Sequence, residues 1–181
     1  LCGMVLSVPA YMFALKPYQK ARLTAFVNKD DPAVARNEGY QLRHSQIAVG
    51  AGGITGRGWF QGTQGQLNFL PERHTDFIFA VVAEEWGFVG CCGVLAAFLA
   101  FLLSILRIAA LARGLYERTV AAGLFAYFGF QMFQNIGMAI GIMPITGLTL
   151  PFFSYGGSSM AVSLTAVGWL TGIGLRLQRR I

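Results

Sequence analysis

Glu72, Arg73, His74 and Asp76 stand immediately before an apolar run long enough to cross a bilayer, and Glu84 and Glu85 lie inside it. Ionisable groups at such depth are costly, so a carboxylate at the membrane rim or below it marks a functional site by default. The chemistry open to it is general base catalysis, in which it takes the proton of a hydroxyl as that oxygen attacks. Asp76 is the candidate. A carboxylate fully in water is a weak base for this work, and partial burial against an apolar rim such as Phe77 would strengthen it. If a helix runs on from Thr75, then Asp76, Ala80, Ala83, Glu84 and Gly87 share one face. That face is small and acidic, as the wall of a polar cavity with Asp76 at its mouth would be. Glu84 then lies about 12 Å deeper, at 1.5 Å per residue. Glu85 falls nearly opposite and reads as half of a structural ion pair. An equally good account makes residues 72–76 only an interfacial helix start. Thr75 would be its N-cap, and Asp76 would sit in the first turn, where the helix dipole favours an acid.

Two further groups could take part. Gln131, Gln134 and Asn135 stand at i, i+3 and i+4, with Met138 continuing the stripe. Amides in hydrocarbon need partners, so this face meets a second helix or the same cavity, and interhelical glue is the commoner case. Between Gly141 and Ser159, two prolines end helices and the Gly156-Gly157 pair permits positive φ. Ser154 and Gly157 belong to this turn, and Ser158 and Ser159 open a helix whose free N–H groups favour an anion such as a phosphate. A tight turn and a diphosphate site fit these residues equally well. Cys2, Cys91 and Cys92 show no metal-ligand spacing, and the adjacent pair does not close an ordinary disulfide. They read as small packing residues, and no metal site is assigned.

The elements that must hold these side chains are membrane spans. Of 181 residues, 55% are hydrophobic and 12% charged, against roughly a quarter charged in a soluble domain. With 23 Gly and 15 Phe, the composition excludes a soluble enzyme and predicts an all-α polytopic membrane protein with closely packed helices. Four apolar segments can be placed, at 1–15, 77–106, 120–142 and 160–175. The first is short of the roughly 20 residues a span needs and is read as a truncated helix begun upstream. The second is long enough to tilt or kink, and Glu84-Glu85-Trp86-Gly87 interrupts it. The fourth gains length if its helix starts at Ser158. Arg107, Arg113 and Arg118 lie between the second and third segments, and Arg176, Arg179 and Arg180 close the chain. Two spans separate the clusters, so they share a face, which the positive-inside bias makes cytoplasmic. Residues 16–76 and 143–159 then form outer loops. The first is rich in both glycine and aromatics, and reads as short interfacial or re-entrant helices joined by glycine turns on the rim of the bundle. Its Gly52/Gly56 spacing matches GxxxG by letters only. Residues 1–181 thus read as one partial transmembrane domain.

Several motifs occur together and in order: Tyr18-Gln19-Lys20-Ala21-Arg22-Leu23, Gly39-Tyr40-Gln41-Leu42-Arg43-His44-Ser45-Gln46-Ile47-Ala48, residues 52–58 and 69–90, Gln134-Asn135-Ile136-Gly137-Met138, and residues 144–159. They resemble the SEDS family (shape, elongation, division and sporulation proteins), that of RodA, FtsW and SpoVE. Gly62-Thr63-Gln64 and Leu70-Pro71-Glu72-Arg73 are most similar to its rod-shape (RodA) branch. The resemblance implies a bundle of ten transmembrane helices, of which this chain would be the C-terminal half, its last four helices with a long outer loop. It also implies peptidoglycan glycosyl transfer, polymerising lipid II into glycan strands for cell elongation and rod shape. The setting would be the outer face of the bacterial cytoplasmic (inner) membrane. The family's aspartate matching Asp76 is held to be essential. Trp86, the Cys91-Cys92 pair and Thr149 depart from the family's pattern, and none touches Asp76.

The mechanism so implied is an inverting transfer without a covalent intermediate, with Asp76 deprotonating the acceptor sugar hydroxyl. The leaving polyprenyl diphosphate would be met by Arg73, His74, the Ser158 helix start or a divalent cation at the diphosphate; no cofactor is assigned. Glu72, Arg73, His74, Glu84, Gln134, Asn135, Ser154, Gly157 and Ser158 are the candidate substrate-binding residues. Expected partners are lipid II, the growing glycan strand, the bilayer, a class B penicillin-binding protein and other elongation-complex membrane proteins, with no nucleic acid. Two other functions fit the same features. A flippase or transporter of the lipid-linked precursor would share the cavity and broken helices. A non-catalytic scaffold for a penicillin-binding protein would not need Asp76.

Overall fold

The computed structural model describes residues 38–59, 61 and 75–178. Segment 1–15, most of loop 16–76, and with it Glu72, Arg73 and His74, lie outside the described residues. Regular structure among the described residues is helical throughout: α1 (Glu38–Ala51), α2 (Ile78–Leu111), α3 (Leu115–Ala139) and α4 (Gly157–Gln178).

α2 holds 34 residues, about 51 Å of helix at 1.5 Å each, against a hydrocarbon core of about 30 Å. The chain resolves the mismatch by breaking the helix at Gly87, whose φ of 65° and ψ of −161° are not helical. The portion after the break spans about 36 Å on the same rise, close to one bilayer crossing. The apolar pattern ends the segment at residue 106, but the helix continues to Leu111 because Ile108, Ala109, Ala110 and Leu111 keep it apolar beyond Arg107. Thr75 does not cap it. The residue at the N-cap is Phe77, without a side-chain cap bond. Residues 75–77 form a turn whose Phe77 carbonyl accepts from the Ala80 and Val81 N–H groups.

A short connection returns the chain as α3. Arg118 closes it by donating to the Ala112 carbonyl at 3.1 Å, and Glu117 sits in the first turn, where the helix dipole favours an acid. α3 ends in a Schellman arrangement: the Ile142 N–H reaches Gly137 O at 2.8 Å and the Gly141 N–H reaches Met138 O at 3.0 Å. Gly141 supplies the left-handed residue that the motif requires, at φ 81°.

α2 and α3 pack against each other along their length, α1 lies against α2 and touches α3, and α4 meets both more lightly. α1 buries Leu42, Ser45 and Ala48, a three-residue stripe. Ser45 Oγ donates to Ala139 O at 2.8 Å, fastening α1 to the last turn of α3. The core between α2 and α3 is largely aromatic and aliphatic, with Phe98, Ile105, Phe128 and Met132 buried.

Two of the described helices are long and apolar enough to cross a membrane. They are α2, with a mean hydropathy of 2.6 in its most apolar stretch, and Gly157–Leu177 of α4, at 1.4. Only 17% and 22% of those stretches are buried within the chain. The core helix of a soluble protein would show the opposite. Leu99, Leu103, Phe130, Phe133, Leu164 and Trp169 stand exposed instead. The sequence also placed a span at 120–142, but α3 falls short of that hydropathy. Its start carries Glu117 and Arg118, and its far end carries Gln131, Gln134 and Asn135.

Candidate active site

Break and loop are built as one piece. Residues 52–58 lie across α2 where it leaves helical geometry, and supply partners to the peptide groups there. The Phe88 and Val89 N–H groups donate to Gly53 O and Ile54 O at 2.9 and 3.1 Å, while the Arg57 and Gly58 N–H groups donate to Glu84 O and Glu85 O, each at 3.0 Å. So close an approach needs missing side chains on both sides. A Cβ on Gly52 would meet the Ala83 carbonyl, one on Gly56 the Glu85 carbonyl, and one on Gly87 the Gly56 nitrogen. The Gly52/Gly56 pair is therefore a close-packing device between a loop and a helix, which its letters alone did not reveal.

This packing changes the picture of the small acidic face. Ala80, Ala83, Glu84 and Gly87 are buried, Glu84 completely. None of the four lines either of the two clefts described below. Glu84 sits beneath the inserted loop as a buried, partnered side chain. Glu85 makes no ion pair among the described residues. It lines a mainly apolar cleft of ≈ 590 Å³ with Trp86, Val89, Gly93 and Ala97, and Trp86 packs at a tilt against Trp59 with ring centroids 5.6 Å apart.

Asp76 is partly exposed, one residue before the cap of α2. Its backbone is held from α3. Asn135 is completely buried, and its Nδ2 donates both to Asp76 O at 2.9 Å and to Leu148 O at 2.7 Å. Gln134, also buried, donates to Pro144 O at 3.2 Å. Gln134 and Asn135 thus bond to backbone carbonyls of the turn between α3 and α4 and of Asp76. Asn135 Oδ1 and Gln131 Oε1 remain buried without a hydrogen bond.

The turn between α3 and α4 is rigid for a reason the sequence did not show. It holds two left-handed residues, Gly147 at φ 71° and the non-glycine Phe152 at φ 65°, and neither Gly156 nor Gly157 takes positive φ. A non-glycine there costs about 1–3 kcal/mol. The Phe152 ring offsets this by packing edge-on against Phe101 and stacked on Phe128, each pair contributing about 0.5–1.5 kcal/mol. Ser154 locks the same turn, its Oγ accepting the Leu150 N–H at 2.7 Å while its own N–H reaches Leu150 O at 3.0 Å. Beside it lies a cleft of ≈ 380 Å³ lined by Ile78, Phe152, Phe153, Ser154, Tyr155, Gly156, Gly157 and Met160. Gly156 caps α4 with its carbonyl, accepting from the Met160 N–H. The N–H groups of Gly157, Ser158 and Ser159 find no acceptor among the described residues. Ser158 is exposed beside the cleft.

Ser154, Gly157 and Ser158 lie in the turn between α3 and α4 or at the start of α4, and Asn135 links that turn to the Asp76 backbone. Glu84 lines neither of these clefts. Phe152 and Ile78 line the cleft beside this turn and were not among the candidates from sequence. No local signal marks a phenylalanine for positive φ, whereas Ile78 could have been inferred from its place two residues after Asp76. Among the described residues, no three His, Cys, Asp or Glu side chains gather as metal ligands.

A family model described as Cell cycle protein, that of FtsW, RodA and SpoVE, matches residues 1–178. The chain belongs to the SEDS family. Peptidoglycan glycosyltransferase MrdB of Escherichia coli (strain K12) is 44% identical over 164 residues, which are 90% of this chain and 44% of that protein. Peptidoglycan glycosyltransferase RodA of Treponema pallidum (strain Nichols) is likewise 44% identical, covering 90% and 37%. Probable peptidoglycan glycosyltransferase FtsW of Geobacter metallireducens is 41% identical, covering 98% and 48%. The chain spans less than half the length of these SEDS relatives. Among solved structures, one reported as structural coordination of polymerization and crosslinking by a peptidoglycan synthase complex matches with a TM-score of 0.72 and 36% identity, over 93% of this chain and 45% of that one. An Asp-to-Ala variant of rod shape determining protein RodA from Thermus thermophilus matches with a TM-score of 0.53 and 38% identity, over 70% and 37%.

For the cleft, Gly157→Val separates a binding role from a structural one. A Cβ at Gly157 meets nothing within 4 Å and the backbone needs no positive φ, so the variant should keep its thermal transition. If an anion sits against the first turn of α4, the valine should weaken diphosphate-lipid binding, measured by titration in detergent, by about tenfold. Ser158→Ala should weaken it less. Unchanged binding with an unchanged transition would remove the cleft from the site.

Proposed function

We propose that the protein containing this chain is a peptidoglycan glycosyltransferase that polymerises lipid II, with Asp76 as general base. The observation that carries the proposal is the placing of Asp76. It stands partly exposed at the start of α2, with its backbone carbonyl held by Asn135 of α3, which also holds Leu148 in the turn between α3 and α4. The turn between α3 and α4 leads into the free N–H groups of α4, and Ile78, two residues after Asp76, lies on the wall of the cleft beside them. A base for the acceptor hydroxyl and an anion-favouring helix start for the leaving diphosphate are what such a transfer needs. The names of the SEDS relatives support the same activity. Glu72, Arg73 and His74, which precede Asp76 in sequence, are proposed as further substrate-binding residues. A divalent cation, where the diphosphate brings one, would rest chiefly on the diphosphate's own oxygens.

The ten-helix bundle, the outer-face site and the rod-shape role belong to this proposal. The branch motifs at residues 62–64 and 70–73 support the rod-shape role, and relatives named both RodA and FtsW keep elongation and division in play. A class B penicillin-binding protein is the proposed partner, supported by a structural neighbour that couples polymerization and crosslinking. Transport has one feature in its favour, the broken α2. The break is sealed by four backbone hydrogen bonds from residues 53–58, however, which suits a fixed site better than alternating access.

Polymerisation of purified lipid II by the complete protein with its partner tests the activity, read as glycan strands on a gel. Strand formation supports the enzyme. Lipid II movement without strands supports transport, and neither outcome supports the scaffold. Orientation has its own test, cysteine labelling in intact cells with the native cysteines replaced. Tyr155 is 82% exposed, so a cysteine there should label from outside, while one at exposed Arg113 should label only after permeabilisation. Labelling of position 113 from outside would reverse the topology.

A further inference from the structure

We infer that Asn135 is a positioning residue: by holding the Asp76 peptide and the Leu148 peptide with one amide, it fixes the general base relative to the leaving-group cleft. The inference rests on the assignment of Asp76 as base and gives Asn135 a different role from the substrate contact suggested by sequence. Its side chain is completely buried and cannot touch a substrate in the cleft. Its two hydrogen bonds, 2.9 Å to Asp76 O and 2.7 Å to Leu148 O, come from a single nitrogen. They therefore join segments far apart in sequence through one rigid planar group.

What lies on either side of that group gives the link its meaning. Asp76 precedes α2 without a side-chain cap bond at the helix start, so the amide is a specific tether on a turn. Leu148 leads through Leu150 to the strained Phe152 and to Ser154, which closes the turn with two bonds to Leu150. From Ser154 the wall of the cleft runs on to Gly157. The path from the Asn135 amide to the cleft is thus braced at each step, by Leu148 O, the Ser154 lock and the Phe152 ring cluster. On the other side the path to the base is one peptide long. A group that only filled space here would be apolar, because an amide at zero exposure is costly unless its partners matter. Asn135 retains that cost on its second atom, since Oδ1 is buried without a partner.

A misplacement of about 1 Å between reacting groups can cost on the order of 10²-fold in rate, so loss of the tether should appear in kcat. The experiment uses the complete protein with its partner, and compares Asn135→Leu with Asn135→Gln. Leucine is near in volume and has no donor; glutamine overfills the site but restores an NH2. Positioning predicts that Asn135→Leu lowers kcat by about tenfold or more with KM within twofold and lipid II binding intact, and that Asn135→Gln recovers part of the loss. A packing role predicts the reverse order, with glutamine worse than leucine in both kcat and thermal stability. That order, or a wild-type kcat in Asn135→Leu, overturns the inference. If both variants unfold, Leu148 reports in their place. Replacing the Leu148–Thr149 amide by an ester through a hydroxy acid weakens that carbonyl as an acceptor, and must lower kcat with KM unchanged for the inference to stand. Failure of the base assignment is recognised separately, as full activity in Asp76→Asn.

Discussion

Asp76→Asn should lower polymerisation of lipid II by about 10²–10⁴-fold, the usual loss on removing a general base, while the protein stays folded and still binds lipid II. The substitution is close to isosteric and leaves the Asp76 backbone carbonyl to accept from Asn135 as before. It also sets the two accounts of residues 72–76 against each other. If Asp76 only favours a helix start, asparagine serves almost as well, since Asn and Asp are comparable at helix N-termini. The structural account therefore predicts near-normal product. Initial rates from purified protein, normalised to the lipid II bound, distinguish the outcomes. Activity near wild type in the variant would leave the scaffold and transport functions, because neither needs a base at this position.

The parts of this protein that were legible in the sequence are those set by composition and by one-dimensional signals. Helices α2, α3 and α4 coincide broadly with apolar segments, and the chain leaves helical geometry within the interruption Glu84-Glu85-Trp86-Gly87, at Gly87. Motif order sufficed to recognise the family. What the sequence did not show depends on side chains meeting across long separations. Gln134 and Asn135 were recognisable as polar groups that need partners. That these partners would be Pro144 O, Leu148 O and Asp76 O depends on how the outer turn folds back, which no local rule specifies. In the turn itself, the Gly156-Gly157 pair permitted positive φ, yet Gly147 and Phe152 take it; at Phe152, ring packing on Phe101 and Phe128 can hold a strained residue that local propensity would reject. Helical periodicity also grouped the small acidic face beneath Asp76, but the close approach of residues 52–58 to its backbone depends on glycines elsewhere in the chain.

Those glycines carry the second large effect. Gly87→Ala should destabilise the protein by about 3 kcal/mol or more, for two reasons that act together. The backbone at φ 65° and ψ −161° lies in a region open essentially to glycine alone, which costs another residue about 1–3 kcal/mol. The new methyl would also meet the backbone of Gly56 and Ile54, and these cannot retreat without pulling away the bonds that Ile54 and its neighbours Gly53, Arg57 and Gly58 make to α2. Releasing them frees the Phe88 and Val89 N–H groups and the Glu84 and Glu85 carbonyls near the membrane, where each unsatisfied group costs several kcal/mol. For a protein stable by about 5–15 kcal/mol this is a large share, and the thermal midpoint in detergent should fall by about 6 °C or more. Gly93→Ala is the matched control, two turns further along the same helix. A Cβ there meets nothing within 4 Å and the backbone is helical, so alanine should be neutral or stabilise by about 0.5–1 kcal/mol. The same substitution on one helix is thus expected to act in opposite directions at positions 87 and 93. Equal midpoints for wild type and Gly87→Ala would mean that α2 can run unbroken through this point, and that residues 52–58 do not hold it open.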